Sequence, residues 1–88
     1  MNVKERMTQK LTEAFSPAEL EVTDDSHQHA GHSGAREGGE THYTVRIVAG
    51  AFAGMGRLAR HRAINAVLAQ ELAEGVHALA IKVRAVGE

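Results

Sequence analysis

What narrows the fold most is a change of hydrophobic period in the second half of the chain, from two to helical and back to two. Tyr43, Val45 and Ile47 alternate with His42, Thr44 and Arg46, the pattern of a half-buried strand. Leu58, Ile64, Val67, Leu68 and Leu72 then recur at helical spacing, and Gly75 stands in the helix-terminating position. From Val76 to Ala85 the period returns to two, with His77, Leu79, Ile81 and Val83 on one face. Strand, helix and strand in succession predict that the two strands pair in parallel, joined by a right-handed crossover. Parallel strands begin at the same end of a sheet. His77, at the entry of the last strand, is therefore expected beside the segment that leads into the earlier one.

The first half adds two elements and an interruption. Val3, Met7, Leu11, Ala14 and Phe15 line one face of a first helix, which Pro17 ends by disfavouring helical geometry at the residue before it. Leu20 and Val22 alternate with Glu19, Glu21 and Thr23 in a short strand. Residues 25–39 are rich in Gly, Ser, His and charge, without apolar periodicity, and read as one long exposed loop. Loops of that length in small domains are usually functional or mobile. The order α-β-β-α-β predicts an α+β fold, a three-stranded mixed sheet with both helices on one face. Met7, Leu11, Val45, Ile47, Leu68, Leu72 and Ile81 are the expected core. At 88 residues the chain makes a single domain spanning 1–88.

Composition removes several classes of function. The absence of cysteine excludes disulfides, thiol catalysis and any thiolate metal site built wholly within the chain. Ten basic and eleven acidic residues give a net charge of −1, unlike the basic footprint of a dedicated nucleic-acid domain. One tyrosine, two phenylalanines and no tryptophan make a poor stacking platform for single strands. No serine, histidine and aspartate set is recognisable, no phosphate loop is present, and Asp24 and Asp25 are adjacent and expected to be exposed. The chain is not expected to be an enzyme. No apolar run approaches the ~20 residues of a membrane span, and the N-terminus does not resemble a signal peptide, so a cytoplasmic protein is expected.

Six histidines remain to be explained, three of them in His27-x-His29-x-x-His32. Neutral imidazole is the commonest metal ligand, and these spacings chelate when a loop folds around an ion. The competing reading is a solvated polar loop, and a zinc- or nickel-binding module of these three histidines is a further alternative. His77, taken alone, reads as a partly buried histidine bonded to backbone; its expected proximity to the loop favours a ligand. His61 falls at the edge of the helical apolar stripe, which suggests a structural role. Arg57, Arg60 and Arg62 near a helix N-terminus suit phosphate or acidic side chains, against the ordinary reading of a solvated face. Gly31-His32-Ser33-Gly34 matches a GxxG backbone clamp in form only, because it falls between strands rather than helices.

Phe52-x-Gly54 followed after five residues by Arg60-His61-Arg62 resembles the signature of the BolA family. Glu40-Thr41-His42-Tyr43 before it and Val76-His77-Ala78-Leu79-Ala80-Ile81 after it agree, and the resemblance covers residues 20–83. It implies a class II KH-like fold and partnership with monothiol glutaredoxins, with a 2Fe–2S cluster shared between the two proteins. The implied ligands are His77 and a histidine of the loop. His29 aligns best by register from Asp25-Ser26, with His27 and His32 as alternatives. Thiolates from the partner and glutathione are implied on the other iron, and Arg60 and Arg62 are expected to dock the partner. The resemblance also implies a second reading, a DNA-binding transcriptional regulator using the KH-like face. A homodimer is compatible with either reading, and no membrane partner is expected.

Overall fold

A computed structural model describes residues 2–25 and 42–88 of the chain. Helix α1 (Val3–Phe15) is followed by strands β1 (Glu19–Asp24) and β2 (His42–Val48). A 3-10 turn (Gly50–Phe52) then leads into α2 (Arg57–Val67), α3 (Ala69–Glu74) and β3 (Ala78–Arg84). The sheet order is β1-β2-β3, with β1 antiparallel and β3 parallel to the central strand. The mixed sheet expected from the periodicity is present. The predicted loop, apart from Asp25, lies outside the described residues, and with it His27, His29 and His32.

Local chemistry sets the helix ends. The Asn2 side chain accepts a 2.8 Å bond from the Glu5 amide at the start of α1, satisfying a donor with no partner inside the helix. At its other end Ser16 takes a left-handed conformation, φ 46°, and its amide closes on the Thr12 carbonyl before Pro17. Gly75 adopts φ 138° after α3, a value few side-chain-bearing residues tolerate, as its helix-terminating position predicts.

The second helical stretch differs from expectation. It is two helices, broken at Leu68, where φ −98° and ψ 14° leave helical geometry. Ile64, Leu68 and Leu72 are spaced four apart straight through the break, so the apolar period does not register it. Leu68 stays fully buried because the break leaves its side chain in the core.

Register explains which face is buried. Val22, Val45 and Ile81 stand side by side across the three strands, as do Leu20, Ile47 and Val83. These rows face the helices, and Met7, Leu11, Ile64 and Leu68 complete the cluster with the Phe15 and Phe52 rings, whose centroids are 4.8 Å apart. Of the expected core, Met7, Leu11, Val45, Ile47 and Leu68 are fully buried, whereas Leu72 and Ile81 are only half covered. Ile81 belongs to β3, an edge strand on which no residue is fully buried.

Two carboxylates tie the helices and the tail together. Glu71 of α3, buried at the helix interface, accepts bonds of 2.9 Å from Arg6 and 2.8 Å from Lys10 of α1. Burial is the largest influence on this carboxyl and pushes its pKa up. The bonds from Lys10, the backbone and Arg6 outweigh it and hold the group below the usual carboxylate range. Beyond β3, the Glu88 carboxylate pairs with the Arg60 guanidinium through both Nη atoms and accepts the Ala85 amide at 3.0 Å. Arg60 also donates Nε to the Met55 carbonyl at 2.9 Å, so one side chain joins the turn before α2 to the end of the described chain.

The Arg60 bonds, and after them the Ala85 amide, push the Glu88 pKa down to about 2, from an ordinary value of 4.5. A carboxyl lowered on folding stabilises the folded state above its unfolded pKa, and that contribution is lost as pH falls through the folded value. The tail contact should therefore hold at pH 4 and be half released near pH 2, with a modest effect on global stability because Glu88 is exposed. In a pH titration followed by NMR, the Ala85 amide should report a midpoint near 2, moving toward 4.5 in Arg60→Ala. A wild-type midpoint already at 4.5 would show that the contact does not form in solution.

Candidate functional site

The end of the sheet at which β2 and β3 begin collects the chain's described candidate ligands. His42 opens β2 and pairs in register with Ala78, the first residue of β3. On its other side the His42 carbonyl accepts the Asp25 amide at 2.8 Å, extending the β1 ladder by one step. Thr44 donates its hydroxyl to the Asp25 carboxylate at 2.5 Å, which fixes Asp25 against the same strand. Residues 25 and 42 are thus neighbours, and both described ends of the intervening sequence stand at this edge.

His77 lies at the same edge, as parallel pairing requires. It follows Val76, whose side chain is buried and whose amide bonds to the Glu71 carbonyl at 3.2 Å, and it immediately precedes β3. Its placement differs from the sequence reading in one respect. His77 is exposed and outside the strand, rather than partly buried on the apolar face with Leu79. The reason is that the ladder starts only at Ala78, so strand alternation does not govern the residue before it.

The His77 ring lies 6.3 Å from the His42 ring, centroid to centroid, with the planes inclined at 54°. The sequence reading used His42 as a polar strand position and as part of the Glu40-Thr41-His42-Tyr43 motif, not as a ligand. The pairing follows once the strand starts are fixed: where two parallel strands start in register, the residue before one start neighbours the residue at the other. Among the described residues no group of three or more His, Asp or Glu side chains is placed to hold a metal ion. What this edge offers chemically is imidazole nitrogen, exposed at His77 and half-buried at His42.

A second feature lies between the start of α2 and β3. Met55, Arg57, Arg60, His61, Ile81, Lys82 and Val83 line an open groove of mixed apolar and cationic side chains. No acidic residue occupies the first turn of α2, so the positive end of the helix dipole adds to the charge of Arg57 and Arg60. The three arginines are not equivalent. Arg60 is half-buried and held by Glu88 and Met55, whereas Arg57 and Arg62 are exposed. Leu58, 63% exposed beside Arg57 and His61, is an apolar contact point on the same surface. Among the described residues no helix is long and apolar enough to cross a membrane.

Comparison with known proteins agrees with this architecture. Residues 11–88 match the family model described as BolA-like protein. An uncharacterised protein of a Sinorhizobium species, described by its position in the cobS 5′ region, is 55% identical over 89 residues, covering 100% of this chain and 96% of its own. The Escherichia coli protein described as a DNA-binding transcriptional regulator BolA is 43% identical over 81 residues, covering 92% of this chain and 73% of its own. The solved structure of BolA1 from Arabidopsis thaliana superimposes with a TM-score of 0.87 at 39% identity, covering 100% of this chain and 96% of that one. The chain spans only about half the length of several plant and mammalian relatives. With the family model matched over most of its length, and relatives of this identity matched along nearly all of it, the chain belongs to the family of BolA-like proteins.

Proposed function

We propose that this protein is an iron–sulfur accessory protein that binds a monothiol glutaredoxin and contributes histidine ligands to a 2Fe–2S cluster shared between them. Its role is binding rather than catalysis, in cluster trafficking or iron sensing. The observation that carries the reading is the position of His77. An exposed imidazole, fixed through a buried neighbour, stands at the edge where residues 25 and 42 bracket the histidine-bearing segment. His29 is its proposed companion, with His27 and His32 as alternatives.

The donor set suits the group. Imidazoles replace thiolates on one iron of Rieske-type 2Fe–2S centres and raise the reduction potential. A chain without cysteine can therefore serve one iron, while the partner's cysteine and glutathione supply thiolates to the other. When bound, the cluster supplies one-electron redox chemistry or is itself the cargo handed on. The chain's own contributions are to present His77 outside the apolar core and to hold its backbone through Val76 and the β2–β3 ladder.

Docking falls to the cationic surface. The sequence reading assigned it to Arg60 and Arg62; the intramolecular bonds of Arg60 make its part indirect, through the shape of the groove and tail, and leave Arg62 the direct contact. A second reading, DNA binding, is favoured by Arg57 and Lys82 in the groove, by the exposed Arg62 on the same helix, and by the E. coli relative's description. It predicts an affinity that falls steeply with salt, about one unit of log–log slope per phosphate contacted.

Anaerobic reconstitution with a monothiol glutaredoxin separates the readings. His77→Ala should fold normally and abolish the mixed-ligand visible and circular dichroism spectrum. His29→Ala should change the spectrum or make the cluster labile, with partial rescue by His27 or His32. A wild-type spectrum from His77→Ala would overturn the assignment. For the docking surface, Arg62→Glu should weaken glutaredoxin binding by about tenfold in calorimetry, ~1.4 kcal/mol, with the melting temperature unchanged. Unaltered binding would return Arg62 to an ordinary solvated face.

A further inference from the structure

We infer that His42 and His77 together form a two-imidazole chelate for a borderline divalent cation such as zinc, nickel or copper, on this chain alone and without the histidines of residues 27–32. The inference shares His77 with the proposed cluster site but does not rest on that reading, because it needs neither a glutaredoxin nor a cluster.

The first support is separation. Zinc binds imidazole nitrogen at about 2.0–2.1 Å, so two rings on one tetrahedral ion have centroids about 5 Å apart. The observed 6.3 Å leaves the pair about 1 Å too open, a gap that rotation of side-chain torsions can close. The second support is the fixing of both backbones. His42 is hydrogen-bonded to β1 through Asp25 and stands in register with Ala78 of β3, while His77 sits between the anchored Val76 and that same Ala78. Closure therefore needs side-chain motion alone. The third is access: His77 is exposed and His42 half-buried, so an ion can enter while water fills its remaining coordination positions.

The donor type sets the class of ion. Imidazole suits zinc, nickel and copper, whereas magnesium and calcium require oxygen ligands in number. This site differs from the three-histidine module suggested by His27, His29 and His32, which would use none of the same nitrogens. Because a chelated ion would hold the His77 ring, occupancy should compete with any other ligand that His77 takes.

Titration of zinc chloride into the isolated chain, read by proton–carbon NMR of the imidazole rings, tests the pair in the wild-type protein. The His42 and His77 signals should shift together with one midpoint while His61 stays still, and magnesium chloride should move neither. In calorimetry, His42→Ala and His77→Ala should each lower zinc affinity by roughly tenfold or more. The chain with His27, His29 and His32 all changed to alanine should still show the joint shift. The inference is overturned if His77 moves without His42, if His42→Ala binds zinc like wild type, or if the triple variant loses the shift. The ring shifts are measured on unaltered protein, so a misfolded variant cannot hide the answer.

Discussion

Parallel pairing of β2 with β3 is the constraint on which the site depends. A parallel ladder cannot be closed by a tight turn, so α2 and α3 must cross over one face of the sheet, and that face becomes the core. The same crossover sets both strand starts at one end. His42 and His77, 35 positions apart in sequence, become neighbours for a purely topological reason. Any change that shifted the β3 register would carry His77 away from both His42 and the segment beginning at Asp25.

Charge in this small domain divides between structure and surface. Glu71, Arg6 and Lys10 close the junction of α1 with α3, and a buried carboxylate there is tolerable because two cations meet it. Arg60 and Glu88 form a second such tie, fastening the segment after β3 against the turn that precedes α2. Arg46 is occupied on the open face of the sheet, 3.3 Å from Glu19. What remains toward a partner is therefore narrower than the count of basic residues suggests. Arg57 and Lys82, beside Met55, Ile81 and Val83 in the groove, make a local cationic surface on a chain whose net charge is −1, and Arg62 is exposed on the same helix as Arg57.

Much of this was legible in the residues themselves. Alternation at Tyr43, Val45 and Ile47 and again at Leu79, Ile81 and Val83 gave both strands, and the intervening helical period gave their parallel sense. The placement of His77 at the loop edge followed from that sense alone. Three features were hidden. The break at Leu68 does not disturb the spacing of apolar residues, so periodicity passes over it. The tie between Arg60 and Glu88 joins groups 28 positions apart through tertiary geometry that no local pattern encodes. The pairing of His42 with His77 required the strand starts to be known to the residue, and boundaries are what periodicity defines least well.

Direct coordination by this chain is most sharply tested with isotopes rather than substitutions. The protein labelled with nitrogen-15 at its histidines, reconstituted anaerobically with unlabelled glutaredoxin and glutathione and then reduced, should show strong nitrogen-15 hyperfine couplings at the cluster in pulsed EPR. Unlabelled chain with labelled glutaredoxin should show no nitrogen-15 coupling of that strength, the strong couplings then being those of nitrogen-14. The reverse pattern, or a cluster whose only strong couplings survive unchanged when this chain is omitted, would contradict the assignment of His77 to the iron.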